Sequence, residues 1–152
     1  MSLKIVFLDS STLGDVPFTP ISDLGDLILY RVSSREDALQ RVKEADVLII
    51  NKIKVDKELI DAAPNLKLIC VAATGVNNVD LEYAASKGIP VRNAVGYSTE
   101  SVVQSTFMTM LALVGKLRHY DDYVKSGKYS LGDIFTDMSN MFYELNGKQL
   151  GV

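Results

Sequence analysis

The stretch LKLICVAATGVNNVD, Leu66 to Asp80, constrains this chain more than any other. Leu66, Leu68, Ile69, Cys70, Val71, Ala72 and Ala73 form a near-continuous apolar run, short enough for a strand and too apolar for one with a solvated face. A central strand is expected there. The run breaks at Thr74, Gly75, Val76, Asn77 and Asn78, and a helical pattern opens at Asp80, a good N-cap residue with Glu82 in the first turn. In an open α/β sheet such a turn lies at the carboxyl end of a strand, where ligands bind. Its backbone N–H groups, together with the helix N-terminus, then face an anion. Two readings of residues 74 to 80 stand at this point: an anion site, and an ordinary βα loop that uses Gly and Asn for left-handed backbone angles.

A buried strand needs neighbours, and the flanking sequence supplies them. Lys4 to Leu8 (KIVFL) is a first strand, closed by the polar turn Asp9, Ser10, Ser11 and Thr12. Gly14 through Pro20 reads as loop, because Pro17 and Pro20 discourage regular structure. Leu27 to Val32 is a second strand, after which Ser33 and Ser34 cap a helix with Glu36 and Asp37 in its first turn and Ala38, Leu39, Val42 and Ala45 at helical spacing. Asp46 to Asn51 is a third strand, and Asp56 to Ala63 a short helix stopped by Pro64. After the Leu66 strand, Asp80 to Lys87 forms a helix terminated by Gly88. Ile89 to Val91 is a fifth strand, placed near an edge because Pro90 cannot donate to a ladder. Strands alternating with helices and short connections predict an α/β fold with a doubly wound parallel sheet of flavodoxin-like type.

From Ser98 the texture changes. Ser98 or Thr99 caps a long helix on which Val103, Phe107, Met110, Leu111, Val114 and Leu117 mark one face, widened by Val102, Met108 and Leu113. A helix apolar over more than one stripe packs between layers or at a subunit contact; the plainer reading is that it covers the sheet. Lys116, Arg118 and His119 fall towards its C-terminal end, where cations suit the macrodipole. A structural role is therefore expected for His119, the single histidine. A second helical segment runs through Tyr123 to Ser126, with Gly127 as its stop. Tyr129 to Glu144 carries Phe135, Met138, Met141, Phe142 and Tyr143 without a clean period, which predicts an ordered wrapping loop. Gln149 to Val152 looks like the beginning of a strand.

Composition excludes several classes of function. A net charge of −3 with no Lys/Arg cluster argues against a general nucleic-acid binder. No apolar run reaches bilayer length, so no membrane association is expected. One cysteine, Cys70, rules out an internal disulfide and suits a reducing, cytoplasmic setting. No metal-ligating constellation is expected.

Three segments together resemble one family. The turn ATGVNNVDL (Ala73 to Leu81), the segment KGIPVRNAVGYSTESVVQ (Lys87 to Gln104) and the ending ELNGKQLGV (Glu144 to Val152) look like the D-isomer-specific 2-hydroxyacid dehydrogenases, and most like their glycerate dehydrogenase or hydroxypyruvate reductase branch. Asn51 and Lys52 in LIINKIKVD are similar to that branch too. The resemblance implies a flavodoxin-like substrate domain over residues 1–97, followed over 98–152 by the start of an NAD-binding Rossmann domain: the long helix, the wrapping loop and a first strand cut off before G-x-G-x-x-G. It implies that the backbone N–H groups of Gly75 and Val76 hold the carboxylate of a small 2-oxo or 2-hydroxy acid, with Asn51 and Lys52 bordering the same cleft. Ser98 and Val102 match positions that face the nicotinamide ring.

The family's catalytic arginine, glutamate and histidine match no position here, and His119 does not fit that histidine's motif, so no catalytic residue is assigned. Gln104 and Ser105 match a place where relatives often show Glu or Gln followed by His, and Ser105 departs from that pattern. A complete enzyme of this kind would use NAD(H) or NADP(H) and pair as a homodimer through the long helix. These 152 residues alone are expected neither to turn over nor to bind the cofactor tightly. The competing reading is a stand-alone flavodoxin-like anion-binding or interaction module. A receiver domain lacks its phosphoacceptor, since Asn51 follows the third strand, and in a flavin carrier Asp9 would repel the phosphate.

Overall fold

A computed structural model describes residues 2–151, which divide into two compact units, Met1–Tyr97 and Ser98–Val152. The first is built on five strands: β1 (Leu3–Phe7), β2 (Gly25–Leu29), β3 (Val47–Ile50), β4 (Leu68–Val71) and β5 (Val91–Asn93). Every pairing is parallel and the order is β2-β1-β3-β4-β5, the flavodoxin-like doubly wound arrangement expected from the alternation of elements. Four helices, α1 (Thr19–Ser22), α2 (Arg35–Arg41), α3 (Lys57–Asp61) and α4 (Leu81–Ser86), connect the strands.

Alternation along each strand divides the core between the two faces of the sheet. On one face Val6, Leu8, Leu48, Ile50, Ile69 and Val71 pack with Ala38 and Val42 from the α2 region, Leu59 and Ile60 of α3, and Ala84 of α4. On the other, Ile5, Phe7 and Ile49 are covered by Leu13, Phe18 and Ile21, with Phe18 set edge-on to Phe7 at 5.8 Å. Side chains recruited from the sequence's own polar boundaries start the helices. Ser34 and Asp37 form a reciprocal capping box, Asp56 accepts from the Leu59 amide at 3.2 Å, and Asp80 accepts from the Tyr83 amide at 2.9 Å.

Several expectations shift. β4 is interior, but the middle strand is β3, and the ladder takes only Leu68–Val71 of the apolar run. Leu66 is buried without pairing as a strand, because a core contact needs no ladder. β2 begins at Gly25, before the expected Leu27. Asp9 leads into a 3-10 turn over Ser10–Leu13, and Pro20 lies in the first turn of α1, where its missing N–H costs nothing. β5 is an edge strand as expected, with Pro90 just before it accepting from the Ile69 amide at 3.0 Å.

The second unit holds α5 (Thr99–Val114), α6 (Leu117–Lys125) and α7 (Lys128–Leu131). The long helix ends sooner than its apolar spacing implies, because Lys116 adopts the left-handed conformation, φ 50° and ψ 42°, which no α-helix continues through. Arg118 and His119 consequently sit in the first turn of α6, so the role suggested for them at a helix C-terminus is withdrawn. The segment after α7 is strapped to α6. Lys116 Nζ donates to Asn140 Oδ1 at 2.6 Å and to the Met141 carbonyl at 2.5 Å, the Tyr120 hydroxyl donates to the Asn140 carbonyl at 2.7 Å, and Phe142 stands edge-on to Tyr120. Among the described residues Gln149 to Gly151 form no strand, and Val152 lies outside them. A strand is defined by its ladder, and no described strand of this unit offers one.

His119 Nε2 lies 2.6 Å from Asp137 Oδ2, and Ser139 donates to Asp137 Oδ1 through both its hydroxyl and its amide. The Ser139 hydroxyl first, then the His119 ring, hold the Asp137 carboxyl at about 2, below its ordinary 3.8. A depressed folded value means that the strap's stabilisation is present above the ordinary value and lost as pH falls through the folded one. We therefore expect Ser139 and Tyr120 resonances to keep their folded positions down to about pH 4 and to collapse towards unfolded values by about pH 2. Resonances unmoved over that interval would contradict the strap.

Candidate functional site

The carboxyl ends of β1, β3, β4 and β5 are joined by hydrogen bonds that leave one stretch of backbone unpaired. Leaving β4, the Ala72 amide still donates to the Ile50 carbonyl at 2.7 Å. The Ala94 amide donates to the Ala73 carbonyl at 3.1 Å, and Asn93 Nδ2 to the Thr74 carbonyl at 2.6 Å, which ties the turn to the edge strand. Farther on, Val79 donates to the Val76 carbonyl and makes a parallel bridge with Val55. Both ends of the turn are thus anchored. Between them the amides of Thr74, Gly75, Val76, Asn77 and Asn78 donate to no acceptor among the described residues, and Thr74, Gly75 and Asn77 are exposed. Five consecutive unpaired N–H groups at the end of a parallel strand are suited to an anion.

The geometry narrows the sequence reading in two ways. Asp80 caps α4 with its own carboxylate and donates its amide to the Val55 carbonyl at 2.8 Å, so part of the helix N-terminus is already satisfied and the anion reading rests on the turn before it. None of Gly75, Asn77 and Asn78 has a positive φ, so the left-handed angles expected of them are absent. A Cβ at Gly75 would lie 3.1 Å from Oδ1 of the exposed Asn77 side chain.

Asn51 and Lys52 follow β3 directly and are joined to this turn by Asn78. Its Nδ2 donates to the carbonyls of Asn51, at 3.1 Å, and Ile53, at 2.9 Å. The Val55 amide donates in turn to the Asn78 carbonyl at 2.8 Å. The structure therefore brings Asn51 and Lys52 beside the turn that carries Gly75 and Val76. The Lys52 side chain is exposed, and Oδ1 of Asn51 is buried and accepts no hydrogen bond from the described residues. Ser98 and Val102 belong to the second unit, at the start of α5, where the Val102 amide donates to the Ser98 carbonyl at 2.9 Å and Val102 is exposed. Ser98 occupies the N-cap position without a side-chain capping bond.

Asp9 is the residue that sequence reasoning missed. It is buried, and its carboxylate accepts from three consecutive amides: Asn51 at 2.9 and 3.1 Å, Lys52 at 2.5 Å and Ile53 at 3.2 Å. The strand order reverses between β1 and β3, the place where doubly wound sheets open a ligand crevice, and here the protein's own carboxylate fills the amide cradle. A phosphate-bearing ligand has no room in that cradle, which leaves the turn after β4 as the open anion surface. The available signal was a carboxylate directly after the apolar run IVFL of the first strand.

Residues 5–117 match the family model for the catalytic domain of the D-isomer specific 2-hydroxyacid dehydrogenases. Hydroxypyruvate reductase of Blautia hydrogenotrophica is 32% identical over 155 residues, spanning 99% of this chain and 48% of that protein. Glycerate dehydrogenase of Methylorubrum extorquens is 29% identical over 153 residues, spanning all of this chain and 48% of that protein. Among solved structures, D-lactate dehydrogenase from Aquifex aeolicus complexed with NAD and lactic acid superposes with a TM-score of 0.71 at 30% identity, over 93% of this chain and 41% of that one. The chain thus spans about half the length of the curated relatives it matches.

Proposed function

The chain belongs to the D-isomer specific 2-hydroxyacid dehydrogenases, a family of oxidoreductases, and from that premise we propose that it carries the substrate half of such an enzyme's active site. The observation that carries the reading is the run of unpartnered amides at 74–78, fixed at the carboxyl end of β4 beside Asn51 and Lys52. In this reading the Gly75 and Val76 N–H groups hold the carboxylate of a small 2-oxo or 2-hydroxy acid such as hydroxypyruvate or glycerate. Asn51 and Lys52 border that carboxylate. A hydrogen bond from a backbone amide to an ionised oxygen is about twice as strong as a neutral one, so two such donors suffice to orient the acid. Residues 1–97 would form the substrate domain and 98–152 the beginning of the cofactor domain, with Ser98 and Val102 towards the nicotinamide ring.

NAD(H) or NADP(H) would supply the hydride in the complete cytoplasmic enzyme. The ten glycines of this chain include no G-x-G-x-x-G, so the residues present do not form a pyrophosphate cradle, and no cofactor step is derived from them. The part played by this chain is to bind and orient the acid. The apolar side chains that α5 exposes, Val103, Phe107, Met108 and Leu111, would form the contact with a second copy.

Two measurements test this reading. The purified chain, given hydroxypyruvate and NADH, is expected to show no NADH oxidation above background, and turnover would contradict the half-site account. Sedimentation at micromolar concentration is expected to show a species of twice 16.7 kDa, and a monomer alone would remove the homodimer.

A further inference from the structure

We propose that Asp9 is a positioning residue for the candidate site: by collecting the amides of Asn51, Lys52 and Ile53 on one buried carboxylate, it sets the turn that stands beside the acid-binding amides of residues 74–77. This rests on the reading given under Proposed function. The chain leaving β3 has to bend away from the sheet before α3, and three successive N–H groups there point the same way. Without an anion they would be part-buried donors with no acceptor in the protein. Asp9 supplies that anion from a strand 42 positions earlier in the chain.

The same turn is gripped from the opposite side. Asn78 Nδ2 holds the carbonyls of Asn51 and Ile53, so the three residues carry their N–H groups on Asp9 and two of their carbonyl groups on Asn78. Asn78 is itself the last residue of the run of unpaired amides. A displacement of the Asp9-held turn therefore reaches residues 74–77 through one side chain. Asp9 touches no ligand itself, being occupied by the three amides. Its contribution is geometric, and sub-ångström errors in such placement are what oriented binding is sensitive to.

The test uses the 152-residue chain labelled with 15N, glyoxylate as the probe, and the Asp9→Asn variant, which keeps the shape and removes the charge. In the variant the Asn51, Lys52 and Ile53 amide resonances are expected to move upfield, as hydrogen bonds to a carboxylate are replaced by weaker ones. The free positions of Gly75 and Val76 should shift as well, since displacement of the turn reaches them through Asn78, and glyoxylate affinity, read from their titration, falls by about tenfold. Unchanged affinity in a folded Asp9→Asn chain overturns the positioning role and leaves the site reading intact. Gly75 and Val76 amides of the parent chain that ignore glyoxylate overturn the site reading, and the positioning role with it. Should the variant fail to fold, the parent chain decides. Binding is reciprocal with the order of the turn, so saturating glyoxylate should slow hydrogen exchange at Lys52 and Ile53 by more than at the core amide of Leu48. Equal slowing at all three overturns the proposal.

Discussion

Replacing Leu48 by Ala is expected to lower the free energy of unfolding by about 3 kcal/mol. Leu48 sits on β3, the middle strand, in register with Val6 on one side and Ile69 on the other. Its side chain is wholly buried in the larger of the two core clusters. Neighbours drawn from the strands and helices on that face cannot all close over the loss of three carbons, so a cavity remains beside the lost transfer energy. Stabilities of domains this size are typically about 5–15 kcal/mol, so a substantial fraction would go. Leu24→Ala is the control: Leu24 is 69% exposed, and its truncation should change stability by no more than about 0.5 kcal/mol. Chemical denaturation read by far-UV dichroism measures both. Equal effects of the two substitutions would contradict the placement of β3 at the centre of the core.

Asn78→Ala is the second substitution with a large expected effect, and it acts through hydrogen bonds. The wild-type side chain gives both N–H groups of its amide to carbonyls of the turn after β3, at 3.1 and 2.9 Å. Alanine leaves both acceptors without a donor in a partly buried place. An unsatisfied buried group costs about 1–3 kcal/mol, and partial access to water lowers that cost, so a loss of about 2 kcal/mol is expected. The affinity of the 74–77 turn for a small 2-oxo acid should fall with it, since the link between that turn and the Asp9-held one is gone. Asn78→Asp keeps the shape but sets carboxylate oxygens against two carbonyls, and should be worse than alanine. A variant as stable as the parent chain would show that the two turns hold their positions independently.

The parallel sheet was legible because β1 to β4 each hold a short apolar run; β5 was expected at Ile89–Val91 but pairs over Val91–Asn93, whose Arg92 and Asn93 carry no apolar signal. Ser34, Asp56 and Asp80 mark helix starts by local chemistry that the structure reproduces bond for bond. Boundaries were less legible where burial and pairing part company. Leu66 and Ala73 belong to the same apolar run as β4 but lie outside its ladder, since hydrophobicity records contact with the core and says nothing of hydrogen bonding. The end of α5 was hidden for a related reason. Leu111, Val114 and Leu117 keep helical spacing across a break made by a single left-handed residue, Lys116.

At the candidate site, the turn after β4 could be recognised from its own residues, as could its closeness to Asn51 and Lys52 through family resemblance. What local pattern could not reveal is the framework behind it. Asp9 and the amides it collects are 42 to 44 positions apart, and Asn78 reaches back 25 to 27 positions. Those partners meet only because β3 lies between β1 and β4 in the sheet, a consequence of topology that no window of sequence contains.

The central claim is that the amides of the turn after β4 hold the carboxylate of a small 2-oxo acid. Titrating the 15N-labelled chain with hydroxypyruvate tests it most directly. The account predicts that the Gly75 and Val76 amide resonances move downfield together and saturate on one binding curve, while those of α6 stay fixed. Gly75 and Val76 resonances that do not move, or a response confined to the exposed lysines, would contradict it.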